Sequence, residues 1–431
     1  MALTNHGLVA RRVAVVGGGI SGMAAAHLLA ADARVVLFES ESRLGGHART
    51  VLAGKNGNQP VDTGFIVYNR INYPHLVALF EKLEVPVAPS NMSFGASIKG
   101  GWLEYALASV DALFAQRSNI VNPSFLRMCR DILYFNKHAE AAVTDQGLTI
   151  AGLLDVLGTG PWFRDYYILP LSAAIWSTPS AGILDFPAQS LIRFFKNHAL
   201  MRLSGQHPWF TVRGGSIEYV RRLQAELARQ AVDVRLRTPV AAIRRDDDGV
   251  YIRVVGGDWE RFDDLVIAAH SDDALAMLSD ASDAERLALG AVRYQPNTAI
   301  LHADATVMPK SRKCWASWVY TEPKGGQADK IDLTYWMNSL QPIPKDDPLF
   351  VTLNSNSPIR QELIYDQVTF RHPVYDLGAV AAQGKIRAMN GTRNTWFCGA
   401  WMKNGFHEDG FGSAVDVVSA MQRRDQVAKA A

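Results

Sequence analysis

Arg12-Val13-Ala14-Val15-Val16-Gly17-Gly18-Gly19-Ile20-Ser21-Gly22 is the stretch on which the fold turns. Val13 to Val16 is a short β-branched strand that runs into three glycines. Met23 to Ala31 beyond them is rich in Ala and Leu and reads as a helix. A second apolar strand, Arg34 to Phe38, ends at Glu39. Strand, Gly-x-Gly-x-x-Gly, helix, strand and terminal acid in this order make a dinucleotide site. Gly17 permits the tight turn, Gly19 lets a diphosphate approach the backbone, and Gly22 lets helix and strand pack closely. Ile20 and Ser21 open the helix, where unpaired N–H groups and the positive end of the dipole meet the diphosphate. Glu39 is placed to accept hydrogen bonds from ribose hydroxyls, and an acid there disfavours the 2′-phosphate of NADP.

Composition narrows the class. The 431-residue chain is 48% hydrophobic and 20% charged, which excludes a disordered chain. Lys+Arg 44 against Asp+Glu 42 leaves +2, which argues against a nucleic-acid partner. Cys129, Cys314 and Cys398 are far apart with no Cys-x-x-Cys, so neither a disulfide scaffold nor a metal ribbon is expected, and no metal site is. With few residues before Gly17, no signal peptide is expected, and the location expected is cytoplasmic. No run of about 18 apolar residues occurs, so no membrane span is expected either. A peripheral position on the inner face of the cytoplasmic membrane stays open.

The residues after Glu39 separate NAD from FAD. Ser40-Glu41-Ser42-Arg43-Leu44-Gly45-Gly46-His47-Ala48-Arg49-Thr50 sets an Arg and a second glycine pair directly behind the ribose acid. This extension resembles the flavin amine oxidase and phytoene-desaturase-like superfamily, whose members lengthen the dinucleotide motif with Arg-x-Gly-Gly. FAD is the cofactor this implies. Its ribityl chain and flavin continue past the diphosphate, so the backbone must approach a second time at Gly45 and Gly46, and Arg43 can balance charge. The family's second arginine is His47 here, with Arg49 two residues on.

The resemblance continues along the chain. Val61-Asp62-Thr63-Gly64-Phe65-Ile66-Val67-Tyr68 matches a segment whose backbone passes the flavin, which implicates Thr63, Gly64, Phe65 and Ile66. Thr211 to Val220, with Gly214-Gly215, opens a helix running to about Gln230. A strand from Val234 to Ile243 follows, and the resemblance places the Val240 backbone against the adenine. A hairpin from Val250–Val255 to Phe262–Ala269 about Gly256-Gly257-Asp258 returns the chain to the sheet, with Ala269 at the cofactor. Thr395 to Ala400 reads as a strand ending on Gly399. The last helix opens at Gly405-Phe406-His407-Glu408-Asp409-Gly410-Phe411-Gly412, with Val415 to Met421 as its apolar body. The resemblance sets this N-terminus at the pyrimidine end of the flavin. The family's acid after the strand glycine is Ala400 here, which leaves Glu408 and Asp409 to take its part.

The expected fold is therefore α/β: a Rossmann-like, amine-oxidase-like FAD-binding domain (1–70, 206–285 and 393–431) with an inserted α+β substrate domain (71–205 and 286–392). The first insertion looks largely helical, and the second alternates over Lys313–Tyr320 and Lys330–Met337, which suits strands. The insertions hold most aromatics, among them Trp162, Phe163, Tyr166, Tyr167, Trp176, Phe194, Phe195, Trp315, Trp318, Tyr320, Tyr335 and Trp336. Such lining suits an apolar, elongated substrate, though most aromatics of this kind serve as core. Leu191 to Leu203 has apolar residues all round and is no clean interfacial helix. Asp185 to Arg237 nevertheless carries nine Lys/Arg and four Asp/Glu, a basic excess that suits contact with anionic lipid.

Within the superfamily, the Gly-Phe-His-Glu-Asp-Gly run and the Cys398-Gly399-Ala400-Trp401 strand end resemble a bacterial FAD-binding subgroup. That subgroup is associated with cyclopropane-fatty-acyl-synthase-type methyltransferases and includes methyl fatty acyl desaturases of furan fatty acid synthesis. The resemblance implies a fatty acyl or phospholipid substrate and a lipid methyltransferase as partner. The chemistry it implies is desaturation of a methylated, unsaturated acyl chain: allylic hydride to the flavin, proton to a base, and a conjugated diene as product. His407 is the expected base, for its place in the motif and its ordinary pKa near neutrality. Tyr68 is the second choice. An amine oxidase and a non-catalytic flavin-binding partner of a methyltransferase are the alternatives.

Overall fold

The computed structural model describes residues 11–143, 145, 147–177, 180–202, 205–325 and 331–430. Residues 1–10, where no signal peptide is expected, and the ends of two expected elements at Leu203 and Lys330 lie outside the described residues.

A five-stranded parallel sheet carries the glycine loop. Its order is Asp233–Arg235, Arg34–Phe38, Arg12–Val16, Asp264–Ile267, Thr395–Phe397. Arg12–Val16 is central, and Val13, Ala14, Val15 and Val16 are all buried, so it reads as an unbroken apolar run instead of an alternating one. The helix Ile20–Leu29 packs on this sheet and on the last helix, His407–Ala430. Small residues permit the approach. A Cβ on Gly22 would stand 1.8 Å from the Gly17 carbonyl oxygen, and one on Gly410 would stand 2.7 Å from Ile20 Cγ2.

Two expected elements are each divided. Val234–Ile243 is two strands, Asp233–Arg235 in the parallel sheet and Val240–Asp246 in an antiparallel one. Arg237 takes a left-handed φ of 52° between them, and Pro239, which lacks an N–H, follows. The hairpin pairs Gly249–Val254 with Trp259–Phe262 only; Asp264–Ile267 leaves it to join the parallel sheet beside Arg12–Val16.

The second layer is a seven-stranded mixed sheet, ordered Ile364–Val374, Arg293–His302, Phe350–Leu353, Asp332–Trp336, Trp318–Thr321, Phe94–Ile98, Leu103–Ala106. The helices Pro123–Ala142, Ile150–Leu157, Leu169–Trp176 and Ala188–Asn197 share a core with it. Strands from both insertions thus build one sheet, so the first insertion is not helical throughout. Some inserted residues pack with the dinucleotide layer. Leu76, Leu79 and Phe80 of helix Pro74–Lys82 lie in its core, and Ala379, Ala382 and Ile386 of helix Leu377–Met389 meet Phe397 and Trp401 below the parallel sheet.

Candidate active site

The glycine loop lies at the carboxyl end of the central strand, where open α/β sheets bind ligands. Gly17 has φ +105°, and a Cβ there would press on the Ala268 carbonyl at 3.0 Å. A Cβ on Gly19 would meet nothing within 4 Å. The helix behind it has no side-chain cap and no acid in its first turn. Such an N-terminus attracts an anion. The Glu39 carboxylate accepts from the Gly18 and Glu41 N–H groups at 2.6 and 2.7 Å and from Ser40 Oγ at 3.1 Å. Thr238, two residues before Val240, donates its N–H to the Glu39 carbonyl at 2.8 Å, so the ribose acid and the expected adenine bracket are neighbours.

From Gly19–Ser21 a single cavity of about 730 Å³ runs past Gly45, Gly46 and His47, past Thr63, Gly64, Phe65 and Ile66, and past Ala269, Gly399 and His407. These expected residues come from six separate stretches and line one cavity. The far part of the cavity is apolar: Phe94, Tyr167, Leu171, Ile175, Trp176, Phe194, Trp209, Trp318, Tyr335 and Leu353. Trp318 and Tyr335 are cross-strand partners with rings 5.6 Å apart. Trp162, Phe163, Phe195, Trp315, Tyr320 and Trp336 do not line it.

Several expected residues sit elsewhere, for physical reasons. Tyr68 faces away because successive strand residues alternate: Val67 lines the cavity, while Tyr68 packs edge-on against Tyr73 and Phe80 in the core. It is thus no candidate base. Arg43 spends its guanidinium on the carbonyls of Leu44, Gly46 and Ala48, holding the second glycine turn in shape. Glu408 accepts from the His75 and Leu76 N–H groups at 2.9 and 3.0 Å, capping helix Pro74–Lys82. Asp409 accepts from the Phe406 N–H at 2.9 Å, and burial pushes its carboxyl up to about 6. Neither replaces the acid missing at Ala400. Phe411 is in the core, and Gly410 provides the helix contact above.

Asp62 is an organiser instead of a contact. It is completely buried and accepts from Ser216 N–H and Oγ, Thr50 Oγ1 and Gln341 Nε2. It thereby fastens the start of helix Ile217–Arg229 to both layers.

Five imidazoles line the cavity, His198 buried and the other four half-buried. Desolvation holds His47, His198 and His270 near 4 and His372 and His407 near 3, so all are neutral at physiological pH. His407 stacks on Phe65 at 3.9 Å, and its Nε2 lies 2.6 Å from the Tyr219 hydroxyl. Burial holds that phenol well above its ordinary pKa, so its O–H donates and the His407 Nε2 lone pair is taken. This displaces His407 as the free base. His198, which no motif marked, bonds through Nδ1 to the Phe194 carbonyl at 3.0 Å. That bond fixes the proton on Nδ1 and leaves the Nε2 lone pair free. Its ring lies parallel to those of Phe194 and Trp209. His372 had a legible signal: it shares a strand face with Phe370, two residues back.

His47 Nε2, Trp318 Nε1 and Tyr375 Oη are buried without protein partners, and all three line the cavity. Together with the open Gly19 face and the uncapped helix, these unsatisfied groups fit a flavin dinucleotide running from the loop to the aromatic wall.

A family model described as flavin containing amine oxidoreductase matches residues 20–305. No curated protein matches the chain by sequence. Among solved structures, a putative protoporphyrinogen oxidase from Exiguobacterium sp. 255-15 is similar at 16% identity and TM-score 0.71, over 96% of this chain and 99% of that one. A CLA-producing fatty acid isomerase from P. acnes is similar at 15% and 0.69, over 95% and 98%. Cyclohexylamine oxidase from Brevibacterium oxydans IH-35A is similar at 15% and 0.68, over 96% and 100%. At these identities the likeness is one of fold.

Proposed function

The chain belongs to the flavin-containing amine oxidoreductase family, and from that premise we propose that this FAD-dependent oxidoreductase desaturates a methylated, unsaturated fatty acyl chain to a conjugated diene. One observation carries the reading. Among the described residues, no Asp, Glu or Lys lines the cavity, and its one formal charge, Arg371, is ion-paired to Asp272 and Asp273. A cationic amine would find no anchor there, whereas an acyl chain finds aromatic and aliphatic walls. The fold shared with a fatty acid isomerase is consistent with it.

FAD, when bound, supplies the acceptor for the two electrons that leave the allylic carbon as hydride. The chain's own residues do the rest. Trp176, Phe194, Trp318 and Tyr335 align the chain and exclude water. His198 Nε2 accepts the proton from the neighbouring carbon, with its tautomer held by the Phe194 carbonyl. His407 and Tyr219 buttress Phe65 beside the cofactor-facing backbone of Gly64.

The test is anaerobic stopped-flow mixing of holoenzyme with a panel of substrates. Methyl-branched unsaturated acyl chains bleach the flavin absorbance and primary amines do not. Rapid bleaching by amines with none by acyl chains would select the amine oxidase, and bleaching by neither would leave a non-catalytic flavin protein.

A further inference from the structure

The exposed apolar side chains are unevenly distributed. Eight of the seventeen large exposed ones among the described residues fall between Trp102 and Tyr134. Val110 and Val121 are the extremes, at 75% and 79% exposure. A scattered surface leucine needs no explanation, but a concentration of this kind marks an interaction site.

Three features say what covers it. First, the patch is continuous with the cavity: Leu107 and Ala108 are exposed and also line it, so these two residues form part of the rim. Second, its charge is net positive, although Arg117 is paired with Asp111, and Arg127 and Arg130 with Asp131. Lys99, Arg117, Arg127, Arg130 and Lys137 are exposed within 99–137, and Asp111 is the one exposed carboxylate there, since Glu104 and Asp131 are buried. On helix Pro123–Ala142, Leu126, Arg130, Leu133 and Lys137 follow one another at helical spacing on an exposed stripe. Apolar residues interleaved with cations suit a lipid headgroup boundary. Third, Trp102 meets Trp162 and Tyr166 with ring centroids 5.4 and 5.7 Å away, and Lys99 Nζ lies over Trp102 and Tyr166 at 5.6 and 5.4 Å. Amphipathic rings with a lysine beside them favour a membrane–water interface.

We propose that the face from Lys99 to Lys137, with Trp162 and Tyr166, docks on an anionic lipid bilayer and places the cavity rim at Leu107–Ala108 against the lipid. The basic stretch 185–237 adds little to this face. There Leu191, Ile192, Phe194 and Phe195 of helix Ala188–Asn197 are buried, and Lys196 is paired with Glu140. The docking rests in part on the reading that the cavity takes an acyl chain, because a bilayer-bound substrate then enters without crossing water.

The experiment is co-sedimentation of holoenzyme with vesicles of phosphatidylcholine alone or mixed with phosphatidylglycerol, using wild type and the Val110→Glu/Val121→Glu double variant. Neither valine lines the cavity, and both are exposed enough that the variant keeps its fold and flavin spectrum. Wild type should pellet with the anionic vesicles, less so as salt rises, and hardly with the neutral ones. The double variant should lose at least about tenfold in partitioning. Its reduction by a short acyl substrate in solution should be unchanged; failure of that reduction in wild type counts against the substrate reading and leaves the vesicle result to stand or fall alone. Docking is overturned if wild type ignores anionic vesicles, or if the double variant binds them equally. It is also overturned if wild type is a dimer that the substitutions dissociate without any vesicle binding.

Discussion

Gly19→Ala and Gly22→Ala are the same chemical change three residues apart, and the structure assigns them opposite consequences. At Gly19 the backbone is extended (φ −73°, ψ −176°) and an added Cβ meets nothing within 4 Å, so the apo-protein should be unchanged to within about 0.5 kcal/mol. That methyl stands where the diphosphate must approach. Steric intrusion of one methyl costs about 1–3 kcal/mol, which is a roughly 5- to 150-fold weaker Kd for FAD. At Gly22 the methyl would stand 1.8 Å from the Gly17 carbonyl oxygen, inside bonded-neighbour distances, with Ala268 Cβ at 3.3 Å behind it. Helix Ile20–Leu29 must then move off the sheet, and the apo-protein should lose about 3 kcal/mol or more. Fluorescence titration of apo-protein with FAD gives the Kd, and urea unfolding of apo-protein gives the stability. Wild-type affinity in Gly19→Ala, or equal destabilisation by both variants, would refute the assignment of the loop to the diphosphate.

Three further outcomes follow from single contacts. His198→Gln should keep FAD and slow single-turnover flavin reduction by about 10²-fold or more, with a smaller loss in His407→Ala; the reverse order in stopped flow would return the base to His407. Arg245 is fully buried, bonded to Asp280 at 3.0 Å and to Glu285; Arg245→Ala leaves Asp280 with Arg393 but strands the Glu285 carboxylate, and should cost about 3 kcal/mol in urea unfolding. An unchanged midpoint would show the triad to be dispensable. The buried histidines make the apo-protein acid-sensitive. His47, His198, His270 and His302 sit near 4 and His372 and His407 near 3, below the ordinary 6.5, so the unfolded chain binds more protons between about pH 4 and 6.5 and stability falls as pH falls through that window. Asp62 and Asp409, raised to about 6, and Asp332, raised to about 7, act in the opposite sense because folding holds their protons. Six groups outweigh three, and unfolding midpoints should drop from pH 6.5 to 5; a rise would contradict the burial of the imidazoles.

The dinucleotide half was legible because its constraints are local. Gly17, Gly19, Gly22 and Glu39 are fixed by turn geometry and spacing within one βαβ unit, and such rules survive any tertiary setting. The substrate half was legible only as composition. Trp318 and Tyr335 meet because two strands pair, Trp336 is withheld because it occupies another position on its strand, and Trp315 because it precedes the strand Trp318–Thr321; nothing in the order of residues assigns which ring faces the cavity. Side chains at the cofactor were misread where a motif fixes the backbone and leaves the side chain free. Glu408 turns to the N-terminus of helix Pro74–Lys82 and Tyr68 turns to the core, although their neighbours Val67 and His407 line the cavity. His198 was hidden because its tautomer is set by a carbonyl four residues back in a helix end, a relation shared by many histidines without chemistry.

The most direct test follows the product. Holoenzyme is mixed anaerobically, in a single turnover, with a phospholipid bearing a methyl-branched, singly unsaturated acyl chain, and the released acyl groups are weighed by mass spectrometry. The expected product is an acyl species lighter by two hydrogens, with conjugated-diene absorbance, in an amount equal to the flavin bleached. An acyl chain recovered at its starting mass while the same holoenzyme is reduced by an amine would contradict it.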